Sequence, residues 1–223
     1  DDLRAMWETF SAKKGLIKMV VNKVLSLYER INLKFVDEVI LANKVFHKNY
    51  YKEIGLPTTI IENFPSIENI SSKKSFRDNP VIIYHGQLSN DRGIIILIRA
   101  FIQLKCHMPG AVLNLIGTSR TKEFKSEMLH LINSSVYKND IRLLDEVSHS
   151  DVWGLLEESH IGIIPSLRTP RVIMDTPTKL FEYMASSCAV VATDTPPVRY
   201  FAKDCSILVE PDDVNSLANG ILE

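Results

Sequence analysis

The chain has 223 residues, 45% hydrophobic and 24% charged, with 26 basic and 27 acidic side chains and a net charge of −1. This is an ordinary globular composition, long enough for one large domain or one domain plus a piece of another. The near-neutral balance supplies no basic field for a nucleic-acid backbone, and no apolar run approaches the ~18 residues that a membrane span requires.

Residues 3–34 read as a helix, with Lys13, Lys14, Lys18, Lys23, Arg30 and Lys34 set among Leu, Ile, Val and Met. The pattern fits an ordinary helix with a solvated basic face better than a membrane-surface helix. DEVILAN then predicts a strand, KVFHKNYYKEIGL a helix closed by Gly55, and TTIIENF a further strand. The Ser-, Lys-, Asn- and Pro-rich stretch after it is the best linker in the chain. The expected division is 1–64 as the remnant of one domain, 65–79 as linker and 80–223 as a second domain.

From residue 80 onward the pattern is regular. VIIYH (81–85) predicts a strand, and a helix follows over 91–107. AVLNLIG, DIRLLD, HIGIIPS, AVVATD and CSILVE predict five more strands. The helices between and after them are KEFKSEMLHLINS, SDVWGLLEES with Ser150 as N-cap, PTKLFEYMAS, PPVRYFA and DDVNSLANGILE. Apolar strands alternating with helices imply a parallel sheet covered on both faces, and right-handed crossovers make it doubly wound. The fold expected is α/β, a Rossmann-like doubly wound parallel sheet with a small α/β remnant before it. The chain starts at Asp1 without a signal-peptide pattern and stops inside a helical pattern, so a fragment cut at both ends is expected. Cys106, Cys188 and Cys205 lack CxxC spacing and read as buried free thiols in a reducing compartment.

Ligands of such sheets bind at the carboxyl ends of the strands, so the loops at 86–92, 117–120, 145–150, 165–178 and 194–197 carry the search. In YHGQLSNDRG, Gly86 permits close backbone approach, and Arg92 sits where the next helix begins, an arrangement suited to phosphate. The loop is neither GxGxxG nor a Walker A sequence, which argues against a dinucleotide oxidoreductase and a P-loop ATPase. In TPTKLFEYMA, Pro177 opens a helix and Lys179 lies at its amino end, where the dipole disfavours a cation unless an anion is bound. Spacing alone leaves Glu182 at a groove or in solvent, beside a packed face of Leu180, Phe181, Met184 and Ala185. His85 and His149 lie near strand exits and read most simply as exposed loop histidines. The six histidines have no metal spacing and no DxD pair is present, so no metal is expected.

Taken in order, VIIYHGQLSNDRGIIILIRAF, LNLIG, HIGIIPS, TPTKLFEYMASSCAVVATDTPPVRYFA and ILVEPDDVNSLANGILE resemble the nucleotide-sugar-binding half of the GT-B retaining glycosyltransferases of family 4, also called group 1. The resemblance runs from about residue 80 to the end, and residues before it look like the tail of the acceptor-side domain. It implies that Gly86 lets backbone approach the donor diphosphate, with Gln87 beside it, and that Arg92 contacts the phosphates. By the same likeness Gly117 borders the donor cleft, and Val147 lies in the loop whose backbone meets the nucleobase. Thr178, Lys179 and Leu180 fall at the start of the donor-site helix, with Lys179 supplying phosphate charge. Glu182 matches the second of two family glutamates and would accept bonds from the ribose hydroxyls, a carboxylate offering two acceptors. The first glutamate would fall at Met174, with Asp175 adjacent as a substitute. Gln87 and Asp145 also depart from the family pattern. A branch with P-x-K-hydrophobic-aromatic-E-Y-M-A lacks the first glutamate too, and the sequence resembles that branch.

The activity implied is transfer of a sugar from a nucleoside-diphosphate donor to an acceptor hydroxyl with retention, in surface-polysaccharide or glycolipid synthesis. Arg92 and Lys179 are the expected catalytic residues, acting on the leaving diphosphate. No cofactor or metal is implied. The expected partners are the nucleotide-sugar donor, a saccharide or lipid-linked acceptor and the missing amino-terminal domain, with no nucleic acid. The expected location is the cytoplasm, with peripheral membrane contact a further expectation. The fragment alone should bind donor and transfer little sugar. A non-catalytic nucleotide-sugar-binding domain and a GT-B-fold nucleotide-sugar epimerase are the alternatives.

Overall fold

The computed structural model describes residues 16–42, 55–66, 79–169, 172 and 175–223. The chain divides into two compact units, one of residues 1–63 with 169–175 and the other of 64–168 with 176–223. The first unit contains helix α1 (Leu16–Leu33) and a parallel pair, β1 (Val39–Leu41) with β2 (Thr58–Ile60), in which Ile40 lies opposite Thr59. On α1, Val24, Leu27, Tyr28 and Ile31 recur at helical spacing and are exposed, as are Lys23 and Arg30. The helix expected over KVFHKNYYKEIGL and most of the linker lie outside the described residues, as does Met174.

The second unit is a six-stranded, wholly parallel sheet. Its elements are β3 (Val81–His85), α2 (Ile94–Leu104), β4 (Val112–Ile116), α3 (Lys122–Asn133), β5 (Ile141–Leu144), α4 (His149–Glu157), β6 (Ile161–Ile164), α5 (Thr178–Ala185), β7 (Ala189–Thr193), α6 (Pro196–Ala202), β8 (Ile207–Val209) and α7 (Val214–Leu222). The strand order is β5-β4-β3-β6-β7-β8, the doubly wound order expected from the sequence. The chain works outward from β3 in one direction, then crosses to β6 and works outward in the other. The direction reverses between β3 and β6, and the crevice beyond their carboxyl ends is where such sheets take ligands.

Strand alternation builds the two faces. Ile82 and Tyr84 join Leu113, Leu115, Ile163 and Val191 in one apolar cluster with helices α2, α3 and α7. Ile83 joins Ile116, Ile164, Val190 and Ala192 in the other, with α4, α5 and α6. Each fully buried aliphatic side chain contributes roughly 1.5–3 kcal/mol to holding the sheet in place. Lys105, at the end of α2, is buried yet satisfied: its Nζ donates to the carbonyls of Pro109 and Ala111 and pairs with Asp140 at 2.9 Å.

Two sequence expectations change. Ser148, not Ser150, caps α4, its Oγ accepting from Asp151 N at 3.3 Å, because this offset reaches the third helical amide. Of the three free cysteines only Cys188 is buried; Cys106 and Cys205 are exposed. Among the described residues no helix is long and apolar enough to cross a membrane.

Candidate functional site

Three parallel strands end in a row at the reversal point, and two glycines let their exit loops nest. Gly117, leaving β4, has φ 137°, and a Cβ there would stand 2.0 Å from Gly86 O. Gly93, with φ 71°, opens α2 where a Cβ would stand 1.7 Å from Pro165 O, just past β6. Side chains are therefore excluded from both positions, and the β3, β4 and β6 exits close on one another. Tyr84 is buried in β3 and its hydroxyl donates to Gln87 O at 2.9 Å, fixing the first residues of the β3 exit.

Helix α5 brings its amino end to this crevice. Leu180, Phe181 and Tyr183 anchor it in the core, and Tyr183 packs its ring against Gly162 of β6 and edge-on to His85, with centroids 5.3 Å apart. This anchoring turns Lys179 and Glu182 toward the β3 exit. Lys179 Nζ donates to His85 O at 2.7 Å, lies 4.0 Å from the centre of the Tyr84 ring, and is 3.1 Å from where a Cβ on Gly86 would be. The cation that the helix dipole disfavours is thus held by a carbonyl and an aromatic face, directly beside the exposed backbone of Gly86.

Glu182 is only 8% exposed, contrary to the solvated position that spacing suggests. Its Oε1 is 3.0 Å from His149 Nε2, and its Oε2 is 3.2 Å from His85 Nε2. The His85 contact is an electrostatic approach without hydrogen-bond alignment, since neither of its two atoms has a hydrogen-bond partner. Burial pushes the Glu182 carboxyl up, but the two histidines more than offset it and leave its pKa below the usual value. Burial dominates at His85 and holds its pKa below the ordinary imidazole value despite Glu182, with Lys179 acting in the same sense. The neighbourhood is therefore a carboxylate between one buried and one exposed imidazole, with a lysine one helical turn away.

Arg92 is half-buried before α2, close enough to Tyr84 that its charge opposes the rise that burial imposes on the phenol pKa. Val147 is half-buried in the loop entering α4 and packs on the cluster beneath α5. Thr178 is exposed at the first position of α5. Leu180 differs from expectation: its side chain is wholly buried and its N–H donates to Pro177 O at 3.0 Å, so its part is to anchor α5. Asp175 is exposed and belongs to the first unit, its N–H donating to Val172 O at 3.1 Å. Tyr84 and Tyr183 were not singled out by sequence reasoning. The signal lay in their places, one residue before the exit of β3 and one residue after Glu182.

Residues 79–223 match the family model of the group 1 glycosyl transferases, well over half of the chain, and the chain belongs to that family. A curated relative, an uncharacterized glycosyltransferase of Methanocaldococcus jannaschii, is 24% identical over 197 residues, which are 82% of this chain and 45% of the relative. Sucrose-phosphate synthase of Thermosynechococcus elongatus superposes with a TM-score of 0.74 at 18% identity, covering all of this chain and 56% of the other. Anabaena HepE, solved with UDP and glucose, superposes with a TM-score of 0.70 at 20% identity, covering 86% of this chain and 55% of the other. The chain thus spans about half the length of these relatives.

Proposed function

We propose that this group 1 glycosyltransferase chain binds the nucleoside-diphosphate half of a sugar donor at the carboxyl ends of β3 and β6. The observation that carries the reading is the convergence of Lys179 and Glu182, from one short helix, on His85 and Gly86. A cation beside exposed backbone suits a diphosphate, and a carboxylate one turn on suits a ribose hydroxyl. The UDP bound to HepE, a protein of like fold, supports a nucleotide as the ligand class.

In the proposed reaction the anomeric carbon breaks its bond to the diphosphate oxygen and forms one to the acceptor hydroxyl oxygen on the same face. The acceptor's proton leaves on the departing phosphate. Charge accumulates on the diphosphate, and Arg92, Lys179 and the amino end of α5 are assigned to stabilise it, with no metal. Gly86, Gln87 and Gly117 give the diphosphate its close approach, and backbone around Val147 meets the base. Thr178 is assigned to the rim.

For the whole protein we extend the proposal to a saccharide or lipid-linked acceptor in cytoplasmic surface-polysaccharide or glycolipid synthesis. Peripheral membrane contact rests on the exposed apolar and basic residues of α1. The 223-residue chain alone is expected to bind nucleotide and to turn over little sugar.

The test is calorimetric titration of the chain with UDP, GDP and ADP, repeated on Glu182→Ala and Arg92→Ala. Binding of one nucleotide, weakened about tenfold or more in both variants, is the expected result. Folded protein that takes none of the three would overturn the reading.

A further inference from the structure

The two oxygens of Glu182 are not equivalent. Oε2 has under 1 Å² of accessible surface and faces the buried His85. Oε1 faces His149, whose side chain is 66% exposed while that of Glu182 is 11% exposed. Oε1 lies on the side of the exposed His149, so a ligand hydroxyl entering beside that imidazole meets Oε1 first, and its vicinal neighbour lies next to the ring. The partner at hand for that second hydroxyl is His149 Nε2, 3.0 Å from Oε1, the ring nitrogen already at that oxygen.

His149 is placed for the task. It is the first residue of α4, directly after the Ser148 cap, and its ring stands edge-on to Trp153 at 6.1 Å between centroids. The cap fixes the backbone while exposure leaves the ring free to turn. His85 has neither freedom: it ends β3, its N–H points to the Tyr183 hydroxyl at 3.4 Å, and its carbonyl accepts from Lys179.

We infer that His149 is a ribose-binding residue: the 2′,3′-diol of the nucleotide inserts at the contact between Glu182 Oε1 and His149 Nε2, one hydroxyl donating to Oε1 and its neighbour accepting from Nε2–H. His85 lies on the buried side of the carboxylate, its Nε2 3.2 Å from Oε2. The inference rests on the nucleotide reading above and gives the ribose a second side-chain partner.

The experiment is calorimetry of the 223-residue chain with UDP, 2′-deoxy-UDP and 3′-deoxy-UDP, on the unsubstituted protein, His149→Ala, His149→Gln and Glu182→Gln. In the unsubstituted protein, loss of the hydroxyl that meets His149 should weaken binding about tenfold. His149→Ala should weaken UDP by a similar factor and remove the penalty for that one deoxy analogue, and His149→Gln, which keeps an N–H donor, should restore part of both. Unchanged or tighter UDP binding by His149→Ala overturns the inference and makes His149 a competitor for Oε1. Equal deoxy penalties with and without the imidazole overturn it as well. If Glu182→Gln loses affinity while His149→Ala does not, only this inference fails. If GDP or ADP binds in place of UDP, the deoxy analogues of that nucleotide carry the same test; if none of the three binds, or Glu182→Gln leaves binding unchanged, the nucleotide reading fails and the inference with it.

Discussion

Lys179 Nζ donates a 2.7 Å hydrogen bond to the carbonyl oxygen of His85, 94 residues earlier in the chain. That single bond ties the first turn of α5 to the last residue of β3 and holds the ammonium beside Gly86. The charge is presented to the crevice at fixed position, so little side-chain entropy is left to lose when an anion arrives.

Replacing Lys179 should separate diphosphate from nucleoside recognition. Lys179→Met keeps an unbranched apolar side chain near the Tyr84 ring but removes the charge. UDP affinity should fall about tenfold to a hundredfold, the range for a hydrogen bond to a charged group. Uridine, which lacks phosphate, should bind as before and so doubles as a control for folding. Equal losses for both ligands would mean that Lys179 supports the fold of the crevice and not the phosphates.

Gly117→Ala is expected to damage the site through the backbone. The residue has φ 137°, and the added methyl would stand 2.0 Å from Gly86 O, a main-chain atom that cannot swing aside. Strain and clash together should cost about 2 kcal/mol or more, lowering the denaturant midpoint and loosening the loop that carries Gly86. Gly55→Ala, also at positive φ (75°) but with no atom within 4 Å of its Cβ position, separates the conformational cost from the clash. Equal destabilisation by the two would show that the contact with Gly86 contributes nothing.

Nucleotide affinity should not need a divalent cation. Among the described residues no group of three or more His, Cys, Asp or Glu side chains could hold a metal, and Lys179 already places positive charge beside Gly86. Titrations with UDP in magnesium and in EDTA should agree within about twofold. A loss of binding in EDTA would show that the diphosphate is carried by a metal and that Lys179 is not sufficient.

The sheet was legible because its strands are short apolar runs separated by helical periodicity. Val81–His85, Val112–Ile116 and Ala189–Thr193 are strands where VIIYH, AVLNLIG and AVVATD suggest them. Short-range chemistry was harder to place where two residues compete, as Ser148 and Ser150 do for the cap of α4. Geometry decides between them, since only Ser148 reaches the amide of Asp151.

The surroundings of Glu182 were not legible. Its helix neighbours give an apolar face on one side and nothing on the other, so spacing leaves the carboxylate in solvent. The partners that bury it come from elsewhere: His149 is 33 residues away, and His85 ends a strand in a different part of the sequence. Each histidine alone looked like an ordinary loop residue. Only the parallel order, which sets the exit of β3 beside that of β6 and α5 across it, makes them one cluster. The family resemblance picked out Glu182 for ribose but could not say that two histidines flank its two oxygens.

The same cluster predicts how stability responds to pH. Folding lowers the pKa of His85 below its ordinary 6.5, first through burial, and lowers that of Glu182 below its ordinary 4.5 because the two histidines outweigh burial. In both cases the unfolded chain binds protons that the folded chain refuses, so stability is present above the unfolded pKa and is lost as pH falls. The His85 contribution should disappear first, below about pH 6.5, and the Glu182 contribution below about pH 4.5. Denaturant midpoints measured from about pH 7.5 to about pH 5 should therefore decline for the unsubstituted chain, and the decline should be shallower in His85→Asn, which cannot accept the proton. The remaining histidines are common to both proteins, so the difference in slope isolates His85. Parallel slopes would mean that this imidazole takes up its proton equally well folded and unfolded, and a steeper decline in His85→Asn would mean that the fold favours the charged imidazole beside Glu182.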